Sequence, residues 1–193
     1  ALARLSAAGL RSAQDPSALP QIHRSQTGSG LSKLQQEGVG LNGSELSIFL
    51  GADKTSSTNE VAGAFCSLAG QISSALKESL RGVDITFGST SGNGIKTSKD
   101  TEILKEANSA GSADVPKFLQ KALEQLNRKA GVVFIFSDEI DCGAKVYEDM
   151  SFLSKIIDRM KKENVKFFFI YTKTGGGGNT KEEIDQYLVK PLG

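Results

Sequence analysis

Apolar residues along this chain fall into short continuous runs, separated by longer segments in which they recur every three or four positions. LSIFLGA (46–52) is a run of the kind that forms a buried strand. Residues 59–80 then carry Val61, Ala64, Phe65, Leu68, Ile72, Ala75, Leu76 and Leu80 at helical spacing, and Ser57 and Glu60 form an S-x-x-E capping box ahead of them. VDITFGS (83–89) reads as a second strand. The stretch 90–112 is rich in Gly, Ser and Thr, with a short strand or helix around Ile95 and 103–107. Asp114 and Pro116 open another helix carrying Val115, Phe118, Leu119, Ala122, Leu123 and Leu126. GVVFIFSDE (131–139) is the clearest strand in the chain: its apolar run ends abruptly in acids. Met150, Leu153, Ile156, Ile157 and Met160 mark a helix over 147–164, and VKFFFIYT (165–172) is a last central strand. After a Gly-rich loop, Thr180 and Glu183 cap a short closing helix. The alternation of strand and helix predicts an α/β fold: a doubly wound, mostly parallel central sheet with helices on both faces.

Residues 1–44 break this pattern. They are rich in Ala, Ser, Gln and Gly, and Pro16 and Pro20 interrupt any long helix. The expected division is an N-terminal tail, linker or docking arm at 1–44 and one folded domain at 45–193. The opening ALARLSAAGLRSA carries Arg and Ser and no acid before Asp15, the composition of an organelle transit peptide.

Composition narrows the chemistry. Lys+Arg (23) and Asp+Glu (22) nearly cancel at a net charge of +1, so charge gives no support to nucleic-acid binding. No apolar run is long enough for a membrane span. One histidine and two cysteines exclude a multi-histidine zinc site, a four-cysteine cluster and a disulfide scaffold. Two cysteines in a chain of this size fit a reducing, intracellular and cytoplasmic setting, with an organelle as the alternative if the N-terminus is a transit remnant. Cys66 falls within a predicted helix as a small buried residue, and Cys142 has no histidine to pair with. His23 lies in the tail, away from every predicted strand end. Gly175–Gly178 imitates a phosphate-cradling loop but lacks the Lys-Ser/Thr pair that closes one.

In an open parallel sheet, ligands bind beyond the carboxyl ends of the strands. There stand Asp53-Lys54-Thr55-Ser56-Ser57 after the first strand, and Asp138, Glu139 and Asp141 after the GVVFIFS strand. Carboxylates and hydroxyls meeting on one edge make a hard-oxygen site suited to Mg2+ or Mn2+. The same residues also have a plain structural reading, with Ser57 capping the helix and Asp138 turning the chain at a strand end.

Asp53, Thr55 and Ser57 stand in a D-x-[ST]-x-S arrangement that resembles the metal-ion-dependent adhesion site (MIDAS) of von Willebrand factor A-like domains. The resemblance spans roughly 45–193. GSADVPKFLQKAL (111–123) is similar to that family's G-G-T-D-x-x-x-A-L segment, and VVFIFSDE to its V-x-x-I-T-D-G strand end. VKFFFIYTKTGGGGNTKEEIDQYL is similar to its closing segment. The resemblance implies a Rossmann-like fold and a Mg2+ site held by Asp53, Thr55, Ser57 and Asp138. At the hydroxyl position of the second loop the chain has Ala113, with Ser112 one residue early as the substitute ligand, and Glu139 stands where a glycine is common.

The function implied is a protein–protein interaction module, binding a partner through an acidic side chain that completes the coordination of Mg2+. The alternative is an assembly subunit of a larger complex, ribonucleoprotein or organellar, with a vestigial metal site. An enzyme is not expected. A Mg2+-dependent phosphatase of the haloacid-dehalogenase type needs D-x-D after its first strand, where this chain has Thr55; a receiver-type acidic pair is broken by Lys54.

Overall fold

The computed structural model describes residues 21–23, 43–91, 94–106, 115–128, 130–140, 150–171 and 180–192. Six strands form one sheet: β1 (Gln21–His23), β2 (Leu46–Ala52), β3 (Asp84–Ser91), β4 (Gly94–Ser98), β5 (Ala130–Ser137) and β6 (Val165–Tyr171). Their order is β1-β6-β5-β2-β3-β4. The four apolar runs become β2, β3, β5 and β6, and every pairing among them is parallel. β2 and β5, in the middle, are buried almost throughout, so both of their faces must be apolar.

The two edges are antiparallel. β4 turns back on β3 and supplies the strand near Ile95, and a 3-10 helix follows at Thr101–Lys105. β1 comes from the N-terminal segment and pairs with β6, with His23 opposite Phe169. His23, expected far from every strand end, thus lies in an edge strand, level with a residue two positions before the end of β6. A three-residue strand with one apolar residue gives no periodic signal to read.

Among the described residues, three helices of three turns or more accompany the sheet: α1 (Ala62–Ser79), α2 (Val115–Gln125) and α3 (Met150–Lys162). A C-terminal helical stretch runs through Lys181–Ile184, a π-helical turn at Asp185–Val189 and Lys190–Leu192. It is longer than the predicted closing helix, and its Thr180–Glu183 capping box is present as read. Two apolar clusters follow from the alternation of side chains along the strands. Ile48, Leu50, Phe87 and Phe136 pack with Phe65, Ala69 and Ile72 of α1. Phe49, Val133, Ile135 and Phe169 pack with α2, α3 and the C-terminal stretch. No described helix is long and apolar enough to cross a membrane.

Helix packing against the middle strands is close enough that glycine matters. A Cβ on Gly51 would meet both Ile135 Cδ1 and Phe118 Cδ1 at 2.7 Å, inside a fully buried layer. Gly51→Ala is expected to destabilise the fold by about 1–3 kcal/mol through overpacking. Gly70, in the interior of α1 with open space around its Cβ position, is the control. Gly70→Ala should stabilise by up to ~1 kcal/mol from helix propensity. Urea unfolding of the two variants against wild type checks both signs.

Candidate functional site

The parallel ladder between β2 and β5 carries on for one bond past the end of β2: the Asp53 N–H donates to Phe136 O at 2.9 Å. That bond sets the Asp53 backbone level with Ser137. The Lys54 N–H turns the other way and donates to Thr90 Oγ1 at 2.9 Å, tying the loop to the end of β3. The loop then folds on itself. The Thr55 N–H donates to Asp53 Oδ1 at 2.9 Å, and the Thr58 hydroxyl lies 3.1 Å from Asp53 O and 2.9 Å from Thr55 O. A short 3-10 helix, Ser56–Thr58, leads from there into α1.

The side chains this loop presents meet those at the end of β5. Ser57 Oγ donates to Asp138 Oδ1 at 3.3 Å, and the Thr55 and Ser57 hydroxyls are 3.3 Å apart. The Ser137 hydroxyl donates to Asp53 Oδ2 at 2.7 Å and also lies 2.9 Å from Glu139 O. Asp53, Thr55 and Asp138 are buried and Ser57 is half-buried. Four of the five predicted ligands, Asp53, Thr55, Ser57 and Asp138, thus lie in one hydrogen-bonded cluster. Ser112, together with Ala113, Asp141 and Cys142, lies outside the described residues.

Ser57 does not cap α1. The N-cap position is Val61, which offers no side-chain bond, and the predicted Ser57–Glu60 capping box is absent. The Ser57 hydroxyl is directed to Asp138 instead, because the 3-10 turn sets α1 back to begin at Ala62. Ser137 and Thr58 were not singled out by the sequence. Ser137 had a signal, since it occupies the hydroxyl position just before the strand-end Asp in the quoted V-x-x-I-T-D-G pattern. Thr58 had none, because its work is backbone bonding inside the loop.

Burial pushes the Asp53 carboxyl above the usual carboxylate range, and the nearby Asp138 charge pushes the same way. Hydrogen bonds from Ser137 and Thr55 act against this without cancelling it. Lys54 does not relieve the strain. It is buried, its ammonium has no hydrogen-bond partner, and its charge acts on the Cys66 thiol of α1, whose pKa burial nevertheless raises. Cys66 is half-buried, with its sulfur 2.6 Å from Leu104 O.

The donor set suits a small hard cation. Ligands on adjacent octahedral positions around Mg2+ at 2.0–2.1 Å are about 2.9 Å apart. The 3.3 Å separations along Asp138, Ser57 and Thr55 need little adjustment to reach that spacing. Asp53 keeps further lone pairs beyond the two bonds it accepts, enough for direct or water-mediated contact. Among the described residues no three His, Cys, Asp or Glu side chains gather, so a cation here depends on hydroxyl oxygens.

The raised Asp53 pKa fixes the sign of a pH effect. The folded chain holds this proton more tightly than the unfolded chain, so the stability it contributes at low pH is lost as pH rises through the raised value. Asp53→Asn removes that loss and keeps the bonding, since the Ser137 hydroxyl can accept from the amide while donating to Glu139 O. Without divalent cation, the Tm of Asp53→Asn should gain on wild type as pH rises above about 4, the ordinary carboxylate value, and the gain should level off once the raised folded value is passed. A difference that does not change with pH would show that Asp53 is not strained. A scan against protein-family models finds no match for this chain, and a search of curated proteins finds none either.

Proposed function

We propose that the chain is a protein-binding module of the von Willebrand A type, not a catalyst, with a doubly wound Rossmann-like domain that holds Mg2+ at the carboxyl edge of its sheet. Asp138, Ser57, Thr55 and Asp53 would hold the ion. When bound, the ion supplies a Lewis-acidic position that prefers a carboxylate oxygen from a partner protein. The observation carrying this reading is the cross-loop contact of Ser57 Oγ with Asp138 Oδ1. It draws the first and third loops to one point and takes Ser57 away from the helix cap. Burial of Asp53 and Asp138 side by side adds to it, because two neighbouring buried carboxylates repel unless a cation lies between them.

A second reading has its own support. Both Asp53 oxygens already accept hydrogen bonds, and Ser57 already serves Asp138, so the cluster bonds internally without an ion. On that reading the chain is an assembly subunit that keeps the cluster as a brace between two loops and binds through another face.

Thermal unfolding in Mg2+ and in EDTA separates the two. A ligand that binds only the native state stabilises by mass action, about 1.4 kcal/mol at ten times its Kd. The Tm should rise with Mg2+ concentration in wild type, and much less in Ser57→Ala and Asp138→Asn. Superimposable wild-type curves in Mg2+ and EDTA would sink the metal reading and leave the brace.

A further inference from the structure

The side chain of Lys54 serves neither the fold nor the Asp53 cluster. Only 3% of the residue is exposed, and its ammonium donates to no acceptor. Its backbone is held, since the Lys54 N–H donates to Thr90 Oγ1 at 2.9 Å. Burying an ammonium without a partner is costly, so the side chain needs a use.

Cys66 is the group it faces. Ala52 of β2 packs with Phe65 and Ala69 of α1, and Cys66 lies against the same cluster. Lys54, two residues after Ala52, keeps to that side of the sheet. Burial raises the Cys66 thiol pKa, and the Lys54 charge works against it. The sulfur lies 2.6 Å from Leu104 O, in the seam between α1 and the 3-10 helix at Thr101–Lys105. Cys66 is half-buried, so a small oxidant reaches it while Lys54 stays out of water. It is the one free cysteine among the described residues, and no second thiol there can join it in a disulfide.

We propose that Cys66 and Lys54 are an oxidation site, at which hydrogen peroxide drives a sulfenamide bond between Sγ and Nζ. Peroxide transfers one oxygen to the Cys66 sulfur, giving the sulfenic acid and a first water. The Lys54 ammonium releases one proton to solvent, and its nitrogen attacks that sulfur. The S–N bond forms, the S–O bond breaks, and the hydroxyl leaves with a second proton from nitrogen as a second water. Sulfur is oxidised by two electrons and the peroxide is reduced to two waters. Lys54 breaks no hydrogen bond in giving up its proton, and its burial protects the S–N bond from hydrolysis. The bond ties the loop that carries Asp53 and Thr55 to the second turn of α1. No step needs a cation.

Cys142→Ser leaves Cys66 as the sole thiol of the full chain. After excess hydrogen peroxide, trypsin should leave peptide 34–77 uncut at Lys54. That peptide should be about 2 Da lighter than its sequence, the loss of two hydrogens. Dithiothreitol should restore both the mass and the cleavage. With Lys54→Met added, Cys66 should go on to the sulfinic acid, a gain of about 32 Da. The proposal is overturned if Cys66 reaches the sulfinic acid with Lys54 still cleaved, if it stays unoxidised, or if its sulfur joins another lysine.

Discussion

One backbone hydrogen bond, from the Asp53 N–H to Phe136 O, positions the whole candidate site. It extends the β2–β5 ladder by a residue beyond Ala52 and brings two loops from distant parts of the sequence to the same level. Register decides everything downstream of it. Side chains alternate along a strand, so a one-residue slip of β2 against β5 would send Asp53 and Thr55 to the other face. The slip is opposed by the apolar layers on both sides. Phe49 belongs to one cluster and Ile48 and Leu50 to the other, and all three are buried. Shifting them by one position would exchange a phenyl ring for branched aliphatics in both layers at once.

The cluster is bonded well and charged badly. Asp53, Thr55, Ser57, Ser137 and Asp138 all have hydrogen-bond partners, as buried polar groups require. Hydrogen bonds do not remove charge, however, and the Asp138 charge still adds to burial in raising the Asp53 pKa. The nearest lysine in sequence gives no relief, because alternation carries Lys54 toward α1 while Asp53 and Thr55 face the cluster. A buried ammonium without a hydrogen-bond partner and a strained carboxylate one residue apart are each costly.

How far the sequence could be read follows the same division between burial and bonding. The four parallel strands were legible because strands covered on both faces must be continuous apolar runs, as LSIFLGA and VVFIFS are. The edges were not. β4 shows its alternation over only five half-exposed residues, and β1 spans three. Asp53, Thr55, Ser57 and Asp138 could be read from their places at strand ends, since an open parallel sheet presents those positions on one edge. The role of Ser57 could not. S-x-x-E before an apolar helical repeat signals a capping box, and only the 3-10 turn that starts α1 late frees the hydroxyl. Local pattern predicted the local bond, and a contact 81 residues away replaced it.

The same long-range pairing bears on the boundary at residue 45. Composition separates 1–44 from the rest because that segment lacks periodic apolar positions, and periodicity is the signature of an element that buries a face. An edge strand needs no such signature. It needs only backbone N–H and C=O groups opposite an unpaired edge, which almost any extended residues supply. β6 has β5 on one side, and on the other β1 covers its carboxyl-terminal residues Phe169–Tyr171. Pairing there protects a strand rich in phenylalanine, VKFFFIY, from joining a strand of another chain. Three residues of a segment whose side chains look like a linker thus join the sheet through their backbone, beside the strand end that also carries the acidic cluster.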